Sequence, residues 1–172
     1  MSSEYSKQNI LSSASGWFIF ATFIGALLLN MLPLQGLFLH LRPDFVALTI
    51  LYWSIYQPQR VGISIAFGMG LLVDVSNAGI LGQHAMAYCV ITYFGLILHR
   101  RLRYFNSLQQ SPQIGLILLL MQLIILIAGL VSGYRFPGWY FFLTSLTGMI
   151  MWPIITFSLG ILQRPKTDSD AL

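Results

Sequence analysis

Apolar residues along this chain fall into six long blocks, and the charged residues are confined to the joints between them. The blocks run at about residues 16–39, 44–57, 61–78, 83–98, 113–131 and 139–162. An apolar block of about 20 residues is what a helix needs to cross roughly 30 Å of hydrocarbon. The pattern therefore predicts an all-α integral membrane protein, a bundle of six transmembrane helices. The second and third blocks are short. Between Asp44 and Arg60 lie 15 uncharged residues, about 22 Å of helix, and between Arg60 and Asp74 lie 13. A re-entrant hairpin built from these two would leave four full spans and keep the chain ends on one side.

Local signals refine the blocks. Pro33 removes a backbone donor and predicts a kink or an early helix end in the first span, and Pro153 predicts a bend in the last. Pro58-Gln59-Arg60 reads as a tight turn, with Trp53 and Tyr56 placed where an interfacial aromatic belt belongs. Small residues recur four apart at Ala21 and Gly25, Ala66 and Gly70, and Gly129 and Gly133. Such pairs let helices approach closely, within one bundle or across a homodimer.

Charge gives the orientation. Lys7, Arg60, Arg100, Arg101, Arg103, Arg164 and Lys166 fall where every second crossing returns the chain to one side, and only Arg42 and Arg135 fall on the other. Lys and Arg near span ends are retained in the cytoplasm, so both termini are expected there. The organisation predicted is a cytoplasmic segment 1–15, a membrane domain 16–162 and a disordered polar tail 163–172. Lys7 ahead of an apolar run has the look of a secretory leader. No small-residue cleavage pattern follows, and five more apolar segments do, so the first block is read as a retained span.

Charged residues make up 8% of the chain, against about 25% in an ordinary soluble domain. The net charge of +4 is accounted for by topology and by anionic headgroups on the cytoplasmic leaflet, with no nucleic-acid partner implied. Cys89 is the single cysteine, which excludes an intramolecular disulfide and a cysteine metal cluster. It reads as a small buried apolar side chain.

With this topology several polar residues collect at one level. His40, Arg42 and Asp44 lie at the outer junction of spans one and two, and Asp74, Gln83 and His84 at that of spans three and four. An ionisable group at membrane depth costs a few kcal/mol and takes a partner inside the protein. Arg42 is the expected counter-ion of Asp74, with His84 second. The cluster reads as a structural latch, as a partner-binding surface, or as a small-molecule site. Its histidines and aspartates lack helical i, i+4 ligand spacing, so no metal is expected. Phosphate-loop, zinc-protease and nucleophile-elbow motifs are all missing from the sequence, so no catalysis and no cofactor is expected. On the cytoplasmic side, Leu98, Leu102, Phe105 and Leu108 recur at helical spacing around Arg100, Arg101 and Arg103. This stretch reads as an anchor, as a docking surface, or as a short helix lying in the interface.

Arg42-Pro43-Asp44-Phe45, then Pro58-x-Arg60-Val61-Gly62, then Gly70-Leu71-Leu72-x-Asp74 resemble the bacterial rod shape-determining MreD family. Leu81-Gly82-Gln83-His84-Ala85 and His99-Arg100-Arg101-Leu102-Arg103 are similar to its proteobacterial versions, and Trp152-Pro153 also fits. The resemblance runs from about Gly16 to Arg164. It implies an inner-membrane component of the cell-elongation machinery that works with MreC. The actin-like MreB, the RodA glycosyltransferase and a penicillin-binding transpeptidase would complete that machinery in lateral peptidoglycan synthesis. It also implies a fold similar to the substrate-binding subunits of energy-coupling-factor (ECF) vitamin transporters, and no catalytic residue is carried over. Two rivals remain. One is a transporter subunit that captures a small nutrient, which needs a pocket with convergent polar groups. The other is a lipid-linked transferase, which needs a larger charged cavity.

Overall fold

The structure is a computed structural model and describes residues 15–33, 36 and 41–163. The expectations for the N-terminal segment before Ser15, for His40 and for the tail from Arg164 lie outside these residues. Among the described residues the chain is all helical, without strands. Six helices follow in order: α1 Gly16–Asn30, α2 Phe45–Tyr56, α3 Ile63–Ser76, α4 Gln83–Leu102, α5 Ser107–Val131 and α6 Leu143–Leu162. A 3-10 turn, Trp139–Phe142, leads into α6. Two segments, Ser107–Val131 and Trp139–Leu162, are long and apolar enough to cross a membrane, and α1, α2 and α3 are shorter.

The first helix ends at Asn30, three residues ahead of Pro33. The second starts where Asp44 caps it, its carboxylate accepting from the Ala47 N–H at 3.0 Å, and it ends just before Pro58. With 12 residues it is about 18 Å long, and every residue from Val46 to Ile55 is buried. That burial accounts for its shortness. It packs against α1, α4 and α6, so its neighbours shield it and it need not match a lipid thickness. Trp53 corrects the sequence reading. It is fully buried, and its indole N–H donates to Thr22 Oγ1 at 2.9 Å, so it is a core residue and not part of an interfacial belt.

The most extensive packing joins α3 to α4, and α4 also meets α2 and α5. Ala66 is buried, and Gly70 lies in the α3–α4 contact, where its Cβ would come within 2.5 Å of the Ala85 nitrogen. This small-residue pair therefore packs the bundle from within. A Cβ on Gly25 would meet nothing within 4 Å, so the α1 pair faces away. The fourth helix runs through His99-Arg100-Arg101 without a break, and α5 begins at Ser107 after a short turn. No separate interfacial helix stands between them. Large apolar side chains such as Phe20, Leu28, Phe67, Leu116, Ile150 and Phe157 remain exposed, a surface suited to lipid or to a partner helix.

Candidate functional site

Helix α4 carries polar residues at both ends. Its 20 residues span about 30 Å, so Gln83 and His84 at its start lie one hydrocarbon thickness from Arg100 and Arg101 at its end.

At the start of α4 stands Asp74, which is 1% exposed. Its carboxylate accepts from the N–H groups of Gly82 at 2.8 Å, His84 at 3.0 Å and Ala85 at 3.4 Å. Those donors belong to the first turn of a helix, which has no internal acceptors for them, and the positive end of the helix dipole favours the anion. Asp74 thus caps α4 from the end of α3. Gly82 adopts φ +95, a left-handed conformation open to glycine, and this aims its N–H at Asp74. His84 Nδ1 lies 2.7 Å from Asp74 Oδ1. With its proton on Nδ1, the imidazole makes this contact a hydrogen bond to the carboxylate.

Arg42, the expected counter-ion, goes elsewhere. It donates to the Leu32 carbonyl at 3.0 Å, and the side chain that meets Asp74 is His84. The reason is geometric: the same turn that presents three backbone donors also delivers the imidazole.

The other carboxylate at this end of the bundle, Asp44, is held by three donors. Asn30 Nδ2 donates to Oδ1 at 2.9 Å, Ala47 N–H donates to the same oxygen, and the Tyr88 hydroxyl donates to Oδ2 at 2.6 Å. Asn30 Oδ1 in turn accepts from the Phe45 N–H at 3.0 Å. These bonds tie the end of α1, the start of α2 and the middle of the bundle through α4. Gln83 completes the level by donating from Nε2 to the Ile125 carbonyl of α5 at 2.9 Å. Asp44, Asp74, Gln83 and His84 are therefore joined through α4, with Arg42 at the rim. Asp74 has four internal contacts on its two oxygens and Asp44 has three. These bonds hold the helix ends in register.

Beside Gln83 opens a cleft of about 180 Å³ between the α3–α4 connection, the end of α5 and the segment leading to α6. Arg135 lines it, together with Ile80, Ile125, Leu126 and Leu130.

At the opposite end, Arg100, Arg101 and Arg103 are exposed. Below them sits a residue the sequence reading missed. Gln110 is buried; its Oε1 accepts from the Trp152 indole N–H at 3.0 Å, and its Nε2 donates to the carbonyls of Leu102 and Phe105 at 3.0 Å each. Tyr56 approaches the same amide, 3.3 Å from Nε2. Gln110 thereby fixes the turn that follows Arg100 and Arg101 and contains Arg103. Its only sequence signal was a polar residue two places before Pro112, just ahead of the fifth apolar block.

Comparison with known proteins adds the family. The model of the family described as rod shape-determining protein MreD matches residues 12–160. The rod shape-determining protein MreD of Haemophilus influenzae is 26% identical over 149 residues, which cover 86% of this chain and 92% of that one. No solved structure matches. The family match spans all six helices, and the chain therefore belongs to the MreD family of rod shape-determining proteins.

Proposed function

We propose that this chain is a non-enzymatic scaffold of the cell-elongation machinery. It crosses the inner membrane six times, with both termini in the cytoplasm, and holds MreC against the outer ends of α1 to α4. Membership of the MreD family supports the role in rod shape. The observation that carries the mechanism is the internal hydrogen bonding of both carboxylates, four contacts on Asp74 and three on Asp44. Groups tied in this way shape a surface and stay out of chemistry. The exposed arginines at the other end of α4 would face MreB or anionic lipid, in a complex with RodA and its transpeptidase. The cleft, at about 180 Å³, is smaller than the roughly 300–1,000 Å³ of small-molecule pockets, which favours a scaffold over a vitamin-capturing subunit.

Asp74→Ala removes the cap of α4 and is expected to insert normally, to capture MreC several-fold less, and to leave a null strain round. Asp74→Asn keeps one acceptor and should fall between. An inserted Asp74→Ala protein that captures MreC fully and restores rod shape would overturn the reading. Reporter fusions at residue 80 should report the periplasm, and a cytoplasmic signal there would overturn the topology on its own.

A further inference from the structure

The cleft beside Gln83 combines features that the scaffold leaves unused. Its walls are apolar along Ile80, Ile125, Leu126 and Leu130, and Arg135 stands at its edge. The guanidinium is exposed and has no hydrogen-bond or ion-pair partner among the described residues, unlike Arg42. Around it the side chains of Tyr134, Phe136, Trp139 and Tyr140 are exposed, Trp139 by 80%. Exposed aromatic rings grouped at the end of an apolar helix mark the headgroup level of a bilayer. Asp74 does not line the cleft, and its charge is directed into the first turn of α4.

We propose that this cleft binds an anionic phospholipid, with the phosphate on Arg135 and the upper part of one acyl chain against Ile80, Ile125, Leu126 and Leu130. Arginine suits the headgroup because its planar fork donates two parallel hydrogen bonds to phosphate oxygens. The size of the cleft suits one chain segment. About 180 Å³ holds roughly six groups of water size at ~30 Å³ each, which is a few methylenes and not a whole lipid. A soluble anion would leave the apolar walls uncovered, and a zwitterionic lipid would bring its own cation, which offsets the phosphate, to the guanidinium. The orientation proposed above decides only which leaflet supplies the lipid, here the outer one.

The test is native mass spectrometry of the full chain, titrated with phosphatidylglycerol or phosphatidylcholine. It is run in a background where Arg100, Arg101 and Arg103 are changed to Gln, so that the opposite face contributes no basic cluster. The first bound lipid is expected to be phosphatidylglycerol in preference to phosphatidylcholine. Arg135→Gln should lower that preference about fivefold, the worth of one basic side chain at an anionic surface, and Arg135→Lys should restore part of it. Gly129→Leu tests the chain. A Cβ on Gly129 meets Gln83 Nε2 and Tyr134 Cβ at an ordinary 3.9 Å, so the variant fills the cleft without a clash at Cβ and should lose the lipid while keeping Arg135. Deacylated glycerophosphoglycerol should not compete. Equal retention of the two lipids, an unchanged ratio in both Arg135→Gln and Gly129→Leu, or competition by the free headgroup would each overturn the proposal. Cysteine labelling at position 135 reports the side of the membrane separately, so a failed topology leaves the lipid ratio readable.

Discussion

Gly70→Ala should be among the most damaging single-methyl additions to this protein. Its Cβ would sit 2.5 Å from the Ala85 nitrogen and 2.8 Å from the His84 carbonyl carbon. Both atoms are helix backbone, so no rotamer change relieves the contact and α3 must move off α4. Ala85 Cα lies closer still, so bringing even the 2.5 Å contact up to the 3.4 Å of ordinary contact means a separation of at least 0.9 Å. Asp74 lies one turn along on the same buried face. Its bonds to Gly82 and His84, now 2.8 and 3.0 Å, would then stretch to roughly 3.7–3.9 Å, beyond hydrogen-bond reach. Overpacking costs about 1–3 kcal/mol. Two hydrogen bonds to a charged group are worth about 1.5–3 kcal/mol each, part of which water recovers at a half-exposed helix end. Alanine returns about 1 kcal/mol of helix propensity. The net is a loss of about 3–5 kcal/mol. Gly68→Ala is the control, because nothing lies within 4 Å of its Cβ; it should be neutral or stabilising by up to about 1 kcal/mol. Unfolding of the purified variants in mixed micelles, followed by circular dichroism, measures both. If Gly70→Ala is as stable as Gly68→Ala, the close approach of α3 and α4 is wrong.

Two further tests probe other joints. A Cβ on Gly95 collides with the Ser54 hydroxyl and lies 3.2 Å from Ser54 Cβ. Gly95→Ala should therefore destabilise by about 1–3 kcal/mol, and adding Ser54→Ala should recover at least half of that in the same unfolding assay; additive losses would refute the contact. Trp152→Phe removes the donor to Gln110 Oε1 and leaves that buried acceptor with the distant Tyr56 hydroxyl at 3.5 Å. A loss of about 1–3 kcal/mol is expected, with easier protease cutting at Arg103 in the turn after Leu102, while an unchanged cutting rate would separate Gln110 from that turn.

The sequence by itself settled what depends on local chain chemistry. Apolar blocks bounded by Asp44, Pro58 and Gln83 became helices within a few residues of the expected ends, because capping and proline act over one turn. The family was legible as well, since its short motifs stand in order along the whole chain. Tertiary structure decided which polar group meets which. Arg42 and Asp74 were paired on sign and level, but the first turn of α4 offered Asp74 three backbone donors and an imidazole at once, and no charge pattern encodes that geometry. Trp53 had the sequence position of a belt residue and became core because α1, α4 and α6 close around α2. Gln110 was passed over because its value lies in four groups brought in from Tyr56, Leu102, Phe105 and Trp152. Helices are written in neighbouring residues, whereas a buried hydrogen-bond network exists only once distant segments have packed.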